Sequence, residues 1–278
     1  KNFTYKYVNK EIKTKKYKLF WNILFITVFY KSLQNDDLLI LRKFMKFKSI
    51  SVLIPVYNEI NTIEKCIQRV LESDTCGLDL EIIVSDNNSN DGTQEILERI
   101  RNPKVKCYYK SINEGKGSNI KNALKYASGD LILFQDADLE YHPENYPQLI
   151  YPFIKNNADV VFGSRLTGSK ITKIMGWPNL IGNKAFTLIA NILYNKIFTD
   201  IATGYKIFKK DIIKNLKVQS NGFEIEPEIT AKISKNKKLN IFEVPISIYS
   251  RRYDEGKKVK WWDFFVYVYT LIKWRIIN

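Results

Sequence analysis

Histidine occurs once in these 278 residues, methionine twice and cysteine three times. The lone His142 excludes any mechanism or metal site that needs two imidazoles, and no role is assigned to it. Cys66, Cys76 and Cys107 show neither paired spacing nor a nearby histidine cluster. That excludes a disulfide framework and a zinc cage, and fits a reducing, cytosol-facing environment. A long apolar run is also missing. Leu19 to Tyr30 supplies 12 residues, about 18 Å of helix against a hydrocarbon core of about 30 Å, and is too short to span. No small-residue cleavage site follows it, so no secretory signal is expected. There is no internal repeat and no low-complexity linker.

What is present is a 45% hydrophobic chain with a formal net charge of +15. Residues 1–48 hold 12 Lys/Arg against 3 Asp/Glu, residues 251–278 hold 7 against 3, and the 202 residues between them sum to +2. The body is nearly neutral and the ends are basic. At both ends the cations are interleaved with Trp, Phe and Tyr, a mixture that suits an anionic membrane surface. The aromatic segments Leu19 to Tyr30 and Trp261 to Asn278 are candidates for interfacial contact or for packing on the body. A basic module that only binds membranes or nucleic acid would leave the polar clusters described next unexplained.

From Ser49 the pattern becomes regular. Buried strands are expected at 50–56, 80–86, 105–110, 130–138 and 159–165, with helices at 61–73, 93–101 and 118–127 between them. Strand and helix alternate over short connections, which predicts an α/β fold with a mostly parallel central sheet flanked by helices. Past residue 170 the pattern is mainly helical to about 198, then mixed. The simplest division is a basic aromatic extension, 1–48, and one domain, 49–278, with a basic loop at 249–260 and an aromatic helix at 261–278.

In parallel sheets a ligand sits outside the carboxyl ends of the strands. Each expected strand runs into polar residues: Pro55-Val56-Tyr57-Asn58-Glu59, then Asp86 to Gly92, Asn113 to Gly117, Asp136 to Glu140, and Gly163-Ser164-Arg165. Any one of these could be turn chemistry; five together point to one polar edge. The fourth is unusual, with Asp136, Asp138 and Glu140 at alternate positions. On a strand continued that far they would share a face, and converging carboxylates need a proton or a hard cation.

These segments, SVLIPVYNE, EIIVSDNNSNDGT, NEGKGSNIKNAL, GDLILFQDADLEY and VVFGSR, resemble in order and spacing the family 2 glycosyltransferases of the GT-A fold. Within that family the chain is most similar to the branch of dolichol-phosphate mannose synthases and related polyprenyl-phosphate sugar transferases, over about residues 49–260. The resemblance implies a Rossmann-like nucleotide-binding half with helical acceptor-side and C-terminal segments. It implies a UDP- or GDP-sugar donor, with Pro55, Tyr57, Asn58, Glu59, Asp86 and Asn88 around base and ribose and Gly115 and Lys116 beside them. The Asp136-Ala137-Asp138 motif is then expected to meet the donor diphosphate, with Mg2+ or Mn2+ on Asp136 and Asp138 and Glu140 as a third ligand. Asn87 and Asn88 stand where the family commonly has Asp-Gly, so the base is left open.

The segments Thr199–Asp211 and Gly222–Ile229 resemble the acceptor side of the same branch. Val244–Trp261 resembles its flexible basic loop, with Arg252 and Lys257 as the charges over the diphosphate. An acceptor that is a lipid monophosphate, with a second pKa near ~6, is already an oxyanion at neutral pH and needs no base. It does need cations, and Arg165 is the expected one, with Lys184 a second candidate where the synthases carry an arginine after Trp-Pro. The expected activity is inverting, metal-dependent transfer of a sugar to polyprenyl phosphate at the cytoplasmic face of a membrane, with Asp138, Arg165 and Asp200 as catalytic candidates. The alternative is a hydroxyl acceptor in polysaccharide or glycolipid synthesis, where Asp200 or Glu228 would be the base. No nucleic-acid partner is expected.

Overall fold

A computed structural model describes residues 46–168, 177–249 and 262–277, the side chains of 177–179 excepted. The chain divides into two compact units, Lys1–Lys46 and Phe47–Asn278, and every element below belongs to the second.

Strand β1 (Ser49–Val56) is buried almost throughout, and β2 (Asp79–Asp86) over its second half. Such near-continuous apolar runs belong to a parallel sheet covered on both faces. Between them, α1 (Ile63–Leu71) buries Ile63, Cys66, Ile67 and Val70, the 0, 3, 4, 7 spacing of a single helical stripe. Helix α2 (Thr93–Arg99), β3 (Val105–Tyr109), α3 (Lys116–Tyr126) and β4 (Leu131–Phe134) follow. A short 3₁₀ turn leads into α4 (Tyr146–Lys155), then come β5 (Val160–Ser164) and the long α5 (Trp177–Tyr194). The remainder is β6 (Lys206–Lys209), α6 (Lys210–Asn215), α7 (Ile225–Lys235), β7 (Ile241–Pro245) and α8 (Asp263–Ile276).

The seven strands of the described residues form one sheet in the order β3-β2-β1-β4-β6-β5-β7. Only β6 runs against the others, pairing antiparallel with β4 and β5. Because β1 connects outward to β2 while β4 returns on its other side, the chain reverses its direction of growth between β1 and β4. That switch point opens the crevice in which open α/β sheets take their ligands. The core beneath it joins Leu53, Ile83, Ile132, Phe134, Phe162 and Phe208 of the sheet to Ile120, Phe186 and Ile229 of the helices.

Two expectations about strands change. The acidic strand expected to reach residue 138 stops at Phe134, where its last register pair with β1, Leu53↔Phe134, is reached. Beyond it Gln135 turns inward, accepting hydrogen bonds from Tyr146 Oη at 2.8 Å and Tyr205 Oη at 2.6 Å. Leu139 takes a left-handed φ of 63°. Asp136, Asp138 and Glu140 therefore lie on a turn, and strand alternation is not what arranges them. The mixed region after residue 198 contains β6 and β7, which the sequence reading left undefined: strands of 4 and 5 residues carry too little periodicity to declare themselves.

Candidate active site

At the switch point the loops after β1 and β2 are tied to each other. Asn58 and Asn90 bond reciprocally, Asn58 Nδ2 donating to Asn90 Oδ1 and Asn90 N to Asn58 Oδ1, both at 3.0 Å. Asn58 N also donates to Ser89 Oγ, and Glu59 N to Thr93 Oγ1. Asn58 and Asn88 both sit at positive φ, 51° and 62°, where asparagine is among the best tolerated non-glycine residues. Asn58 and the backbone of Glu59 thus fix the shape of the crevice wall. Pro55 and Tyr57 are partly exposed along it, and Asn88 is exposed at its rim. Asp86, at the end of β2, is completely buried. Its Oδ2 accepts from Ser89 N at 3.0 Å and Gln94 Nε2 at 2.6 Å, while its Oδ1 is buried with no hydrogen-bond partner among the described residues.

Across the crevice a chain of alternating charges enters the fold. Lys116 Nζ lies 2.7 Å from Asp136 Oδ1 and 3.4 Å from Glu226 Oε1. The other oxygen of Glu226 accepts from Lys206, a lysine with no exposed surface whose Nζ also donates to the Thr203 carbonyl. Burial works against the charge on Lys116, but the Asp136 and Glu226 carboxylates outweigh it and raise its pKa. At Lys206 burial prevails and lowers it, despite Glu226. Two glycines allow this packing. A Cβ on Gly117 would come within 2.5 Å of the Ser220 carbonyl, and one on Gly204 within 2.5 Å of Asp136 Oδ2. Gly115, at φ 97°, makes the turn into α3 that delivers Lys116.

The turn after β4 carries the expected cation ligands. Asp138 Oδ1 accepts the Glu140 amide at 3.1 Å, closing an Asx turn, and Ala137 is buried beneath. Among the described residues no group of three or more His, Cys, Asp or Glu is arranged to hold a metal ion. A hard divalent ion that is completed by substrate phosphates needs only one or two carboxylates. Asp136 and Asp138 suit such a site by their oxygen chemistry, although an ion on Asp136 Oδ1 would have to displace the Lys116 ammonium. Residues and ion are therefore compatible.

On the far side of β6, Arg165 follows β5 and meets Asp200. Asp200 Oδ2 accepts from Arg165 N and Nε at 3.0 and 2.6 Å, and Oδ1 from Arg165 Nη2 at 2.7 Å and Asn183 Nδ2 at 2.8 Å. Burial alone would raise the Asp200 pKa, yet the Arg165 charge and these donors hold it below the usual carboxylate range. Of the five guanidinium N–H groups, three go to Asp200 and to the Ala202 carbonyl. The two on Nη1 have no partner among the described residues. Glu228 is likewise engaged, accepting from Gln219 N, Ser220 N and Lys232 Nζ, with its pKa lowered by those donors against burial.

Asp86, Lys116, Asp136, Arg165 and Asp200 thus stand along one sheet edge, with Asp138 and Glu140 on its central turn. Lys184 is exposed on α5, and its neighbour Asn183 is the one that turns to Asp200. Arg252 and Lys257 lie outside the described residues, as do residues 1–45 of the extension. Sequence reasoning missed Glu226 and Gln94. Glu226 and Glu228 sit two apart on α7, about 200° around a helix, so only one can face the crevice. The choice between them needs the helix orientation.

The profile of the family described as Glycosyl transferase family 2 matches residues 51–217. A dolichol-phosphate mannosyltransferase of Pyrococcus furiosus is 32% identical over 234 residues, which cover 81% of this chain and 64% of that protein, so this chain spans less than two thirds of that relative. A UDP-N-acetylglucosamine–dolichyl-phosphate N-acetylglucosaminyltransferase of Methanococcus voltae is 29% identical over 77% of this chain and 90% of its own. Among solved structures, glucosyl-3-phosphoglycerate synthase from Mycobacterium tuberculosis, in complex with Mn2+, uridine diphosphate and phosphoglyceric acid, superposes with a TM-score of 0.63 at 20% identity, covering 87% of this chain and 83% of that one. Mannosyl-3-phosphoglycerate synthase from Rubrobacter xylanophilus gives 0.62 at 18% identity, over 88% and 78%. At such identities the likeness speaks to the fold, which is GT-A.

Proposed function

The chain belongs to glycosyl transferase family 2 and is a glycosyltransferase, and on that premise we propose that it moves a sugar from a nucleoside diphosphate to a polyprenyl phosphate. The observation that carries the acceptor is the commitment of the carboxylates. Asp200 and Glu228, the two candidate bases, are each bound to a cation and several donors, and both have lowered pKa values. Glu226 is held between Lys206 and Lys116. An acceptor hydroxyl would find none of these three ready to act as its base. A phosphate monoester needs none, because it arrives ionised.

In this reading the donor lies in the crevice between the β1 and β2 loops and the Asp136 turn. Asp86 meets the base. Asp136 and Asp138 would hold Mg2+ or Mn2+, which supplies charge neutralisation to the departing diphosphate. Lys116 adds a second cation from α3. Arg165 presents its two Nη1 donors to the acceptor phosphate, with Asp200 fixing the guanidinium plane, and so offsets repulsion between two anionic substrates. An acceptor phosphate oxygen forms the new bond to the anomeric carbon, the bond from that carbon to the diphosphate breaks, and no proton moves. The relatives that act on dolichyl phosphate support the same acceptor class.

A lipid acceptor calls for a surface. Tyr269, Ile272 and Ile276 lie along one face of α8 at three- and four-residue spacing, exposed by 65, 41 and 76%. Helix α5, which packs on α8, exposes Leu188 and Ile192. No helix among the described residues is long and apolar enough to cross a membrane. A peripheral, interfacial placement of this face fits those facts.

The test is direct. The purified chain, given UDP- and GDP-sugars with a polyprenyl phosphate, should form a polyprenyl-phosphate sugar, and chelation should abolish it. Transfer only to hydroxyl acceptors would refute the acceptor assignment.

A further inference from the structure

We propose that Gln94 sets the base selectivity of the donor pocket, by occupying one oxygen of Asp86 and leaving a single acceptor that suits uracil and not guanine. This rests on the crevice being a nucleotide site. Asp86 has no exposed surface, yet its Oδ1 has no hydrogen-bond partner among the described residues. A buried unpaired oxygen of this kind is costly, by about 1–3 kcal/mol and more for a charged group, and native folds retain few of them. At the end of β2, beside the topological switch point, such an oxygen is an acceptor placed to pair with a ligand donor.

The other oxygen is filled from within the fold. Oδ2 accepts from the Ser89 amide at 3.0 Å and from Gln94 Nε2 at 2.6 Å, which takes up its two lone pairs. Gln94 stands in the first turn of α2, one residue after Thr93, whose amide and hydroxyl are both fixed by Asp91. Its reach to Asp86 is set by the helix start. Nearby acceptors are committed too. The Val56 carbonyl receives Asn87 N and Asn119 Nδ2, the Asp86 carbonyl receives Lys110 N, and Asn113 Oδ1 receives Asn87 Nδ2 and Gly115 N.

Counting donors then separates the bases. Uracil carries one ring N–H between two carbonyls, which a single carboxylate oxygen satisfies. Guanine presents adjacent N1–H and N2–H groups, the pattern read by a carboxylate with both oxygens available. With Oδ2 filled, the two parallel guanine donors cannot each face an oxygen of their own, and the strained pairing that is left costs about tenfold or more in affinity. Cytosine turns an unprotonated N3 towards Oδ1, acceptor against acceptor, and is disfavoured.

Isothermal titration of the whole chain with UDP and GDP in Mn2+ buffer tests this. The wild type should bind UDP at least about tenfold more tightly than GDP. Gln94→Met, which keeps the length and removes the donor, should shrink that ratio to below about threefold by strengthening GDP. Equal binding of the two nucleotides by the wild type, a preference for GDP, or an unchanged ratio in Gln94→Met overturns the role of Gln94 while leaving the nucleotide site standing. Binding of neither nucleotide overturns the site itself. Should Gln94→Met fail to fold, the wild-type ratio still decides.

Discussion

Asp200 grips Arg165 in a two-point fork, Oδ2 to Nε at 2.6 Å and Oδ1 to Nη2 at 2.7 Å, with the carboxylate entirely out of solvent. The pair spans 35 residues of sequence and joins the end of β5 to the segment before β6. Its geometry makes Asp200 a holder of the guanidinium plane, since an oxygen that accepts two donors already is poorly placed to take a proton from a substrate.

Asp200→Asn should therefore act on Arg165. Removing one charge of a buried pair leaves the other uncompensated, at a cost of about 3–5 kcal/mol. Urea unfolding should show that loss, and initial rates should show a raised KM for the phosphate acceptor. Abolished kcat with unchanged stability and unchanged acceptor KM would instead make Asp200 a base and favour a hydroxyl acceptor.

Lys116 competes with any divalent ion for Asp136 Oδ1, 2.7 Å away. In the absence of nucleotide, Lys116→Met should bind Mn2+ more tightly than the wild type, by about two- to fivefold, the worth of one partly screened ion pair. The same variant should bind the donor nucleotide more weakly. Paramagnetic resonance of free Mn2+ measures the first and calorimetry the second.

Gly204 gives Asp136 its place. In Gly204→Ala the new methyl would stand 2.5 Å from Asp136 Oδ2 and 3.0 Å from the Tyr141 ring, so carboxylate or ring must shift. The expected cost is about 1–3 kcal/mol of stability. Transfer activity should fall by at least about tenfold, because a displacement of about 1 Å at a reacting centre is enough for that. A thermal melt with a Mn2+ titration separates the two effects.

Glu81 lies at the opposite end of the sheet from the crevice. Burial works to raise its pKa, but hydrogen bonds from Ser51, Ser128 and Lys106 prevail and bring it to about 2. A carboxylate with a depressed folded pKa contributes stability above its unfolded value, and loses it as pH falls through the folded one. Unfolding midpoints should thus decline between about pH 4.5 and pH 2. Glu81→Gln should flatten that window and lose about 1–2 kcal/mol at neutral pH, a figure reduced for solvent screening.

If α5 and α8 meet a membrane, Tyr269→Ser with Ile276→Ser should weaken co-sedimentation with anionic vesicles. Each side chain withdrawn from an apolar interface is worth up to about 1.5–3 kcal/mol, so the pair should cost at least about tenfold in partitioning. Soluble-acceptor turnover should change little. Undiminished vesicle binding would assign membrane contact elsewhere on the chain.

Much of the architecture follows from local pattern. The apolar runs of β1, β2, β4 and β5, the single stripe of α1 and the polar residues after each strand are properties of consecutive residues, so periodicity reveals them. Parallel strands must bring their carboxyl ends to one edge, and with that the crevice and most of its wall were already implied. What periodicity could not reveal was pairing over long separations. Strand β6 has four residues and becomes a strand only because β4 and β5 lie on either side of it. The same holds for the charges: Asp136 and Lys116, Asp200 and Arg165, Glu226 and Lys206 are ordinary polar residues until the fold buries them against each other.

The Asp-Ala-Asp motif shows the division most plainly. Its residue types alone, clustered carboxylates after a buried strand, call for a proton or a cation if they converge, because like charges in low dielectric cannot all stay ionised unaided. The tertiary structure decided which cation is at hand and which carboxylates are free to work. It ended the strand at Phe134, turned the acids onto a loop, gave Asp136 to Lys116, and gave Asp200 to Arg165. Sequence determines charge and periodicity; which oxygen keeps a spare lone pair depends on packing in three dimensions.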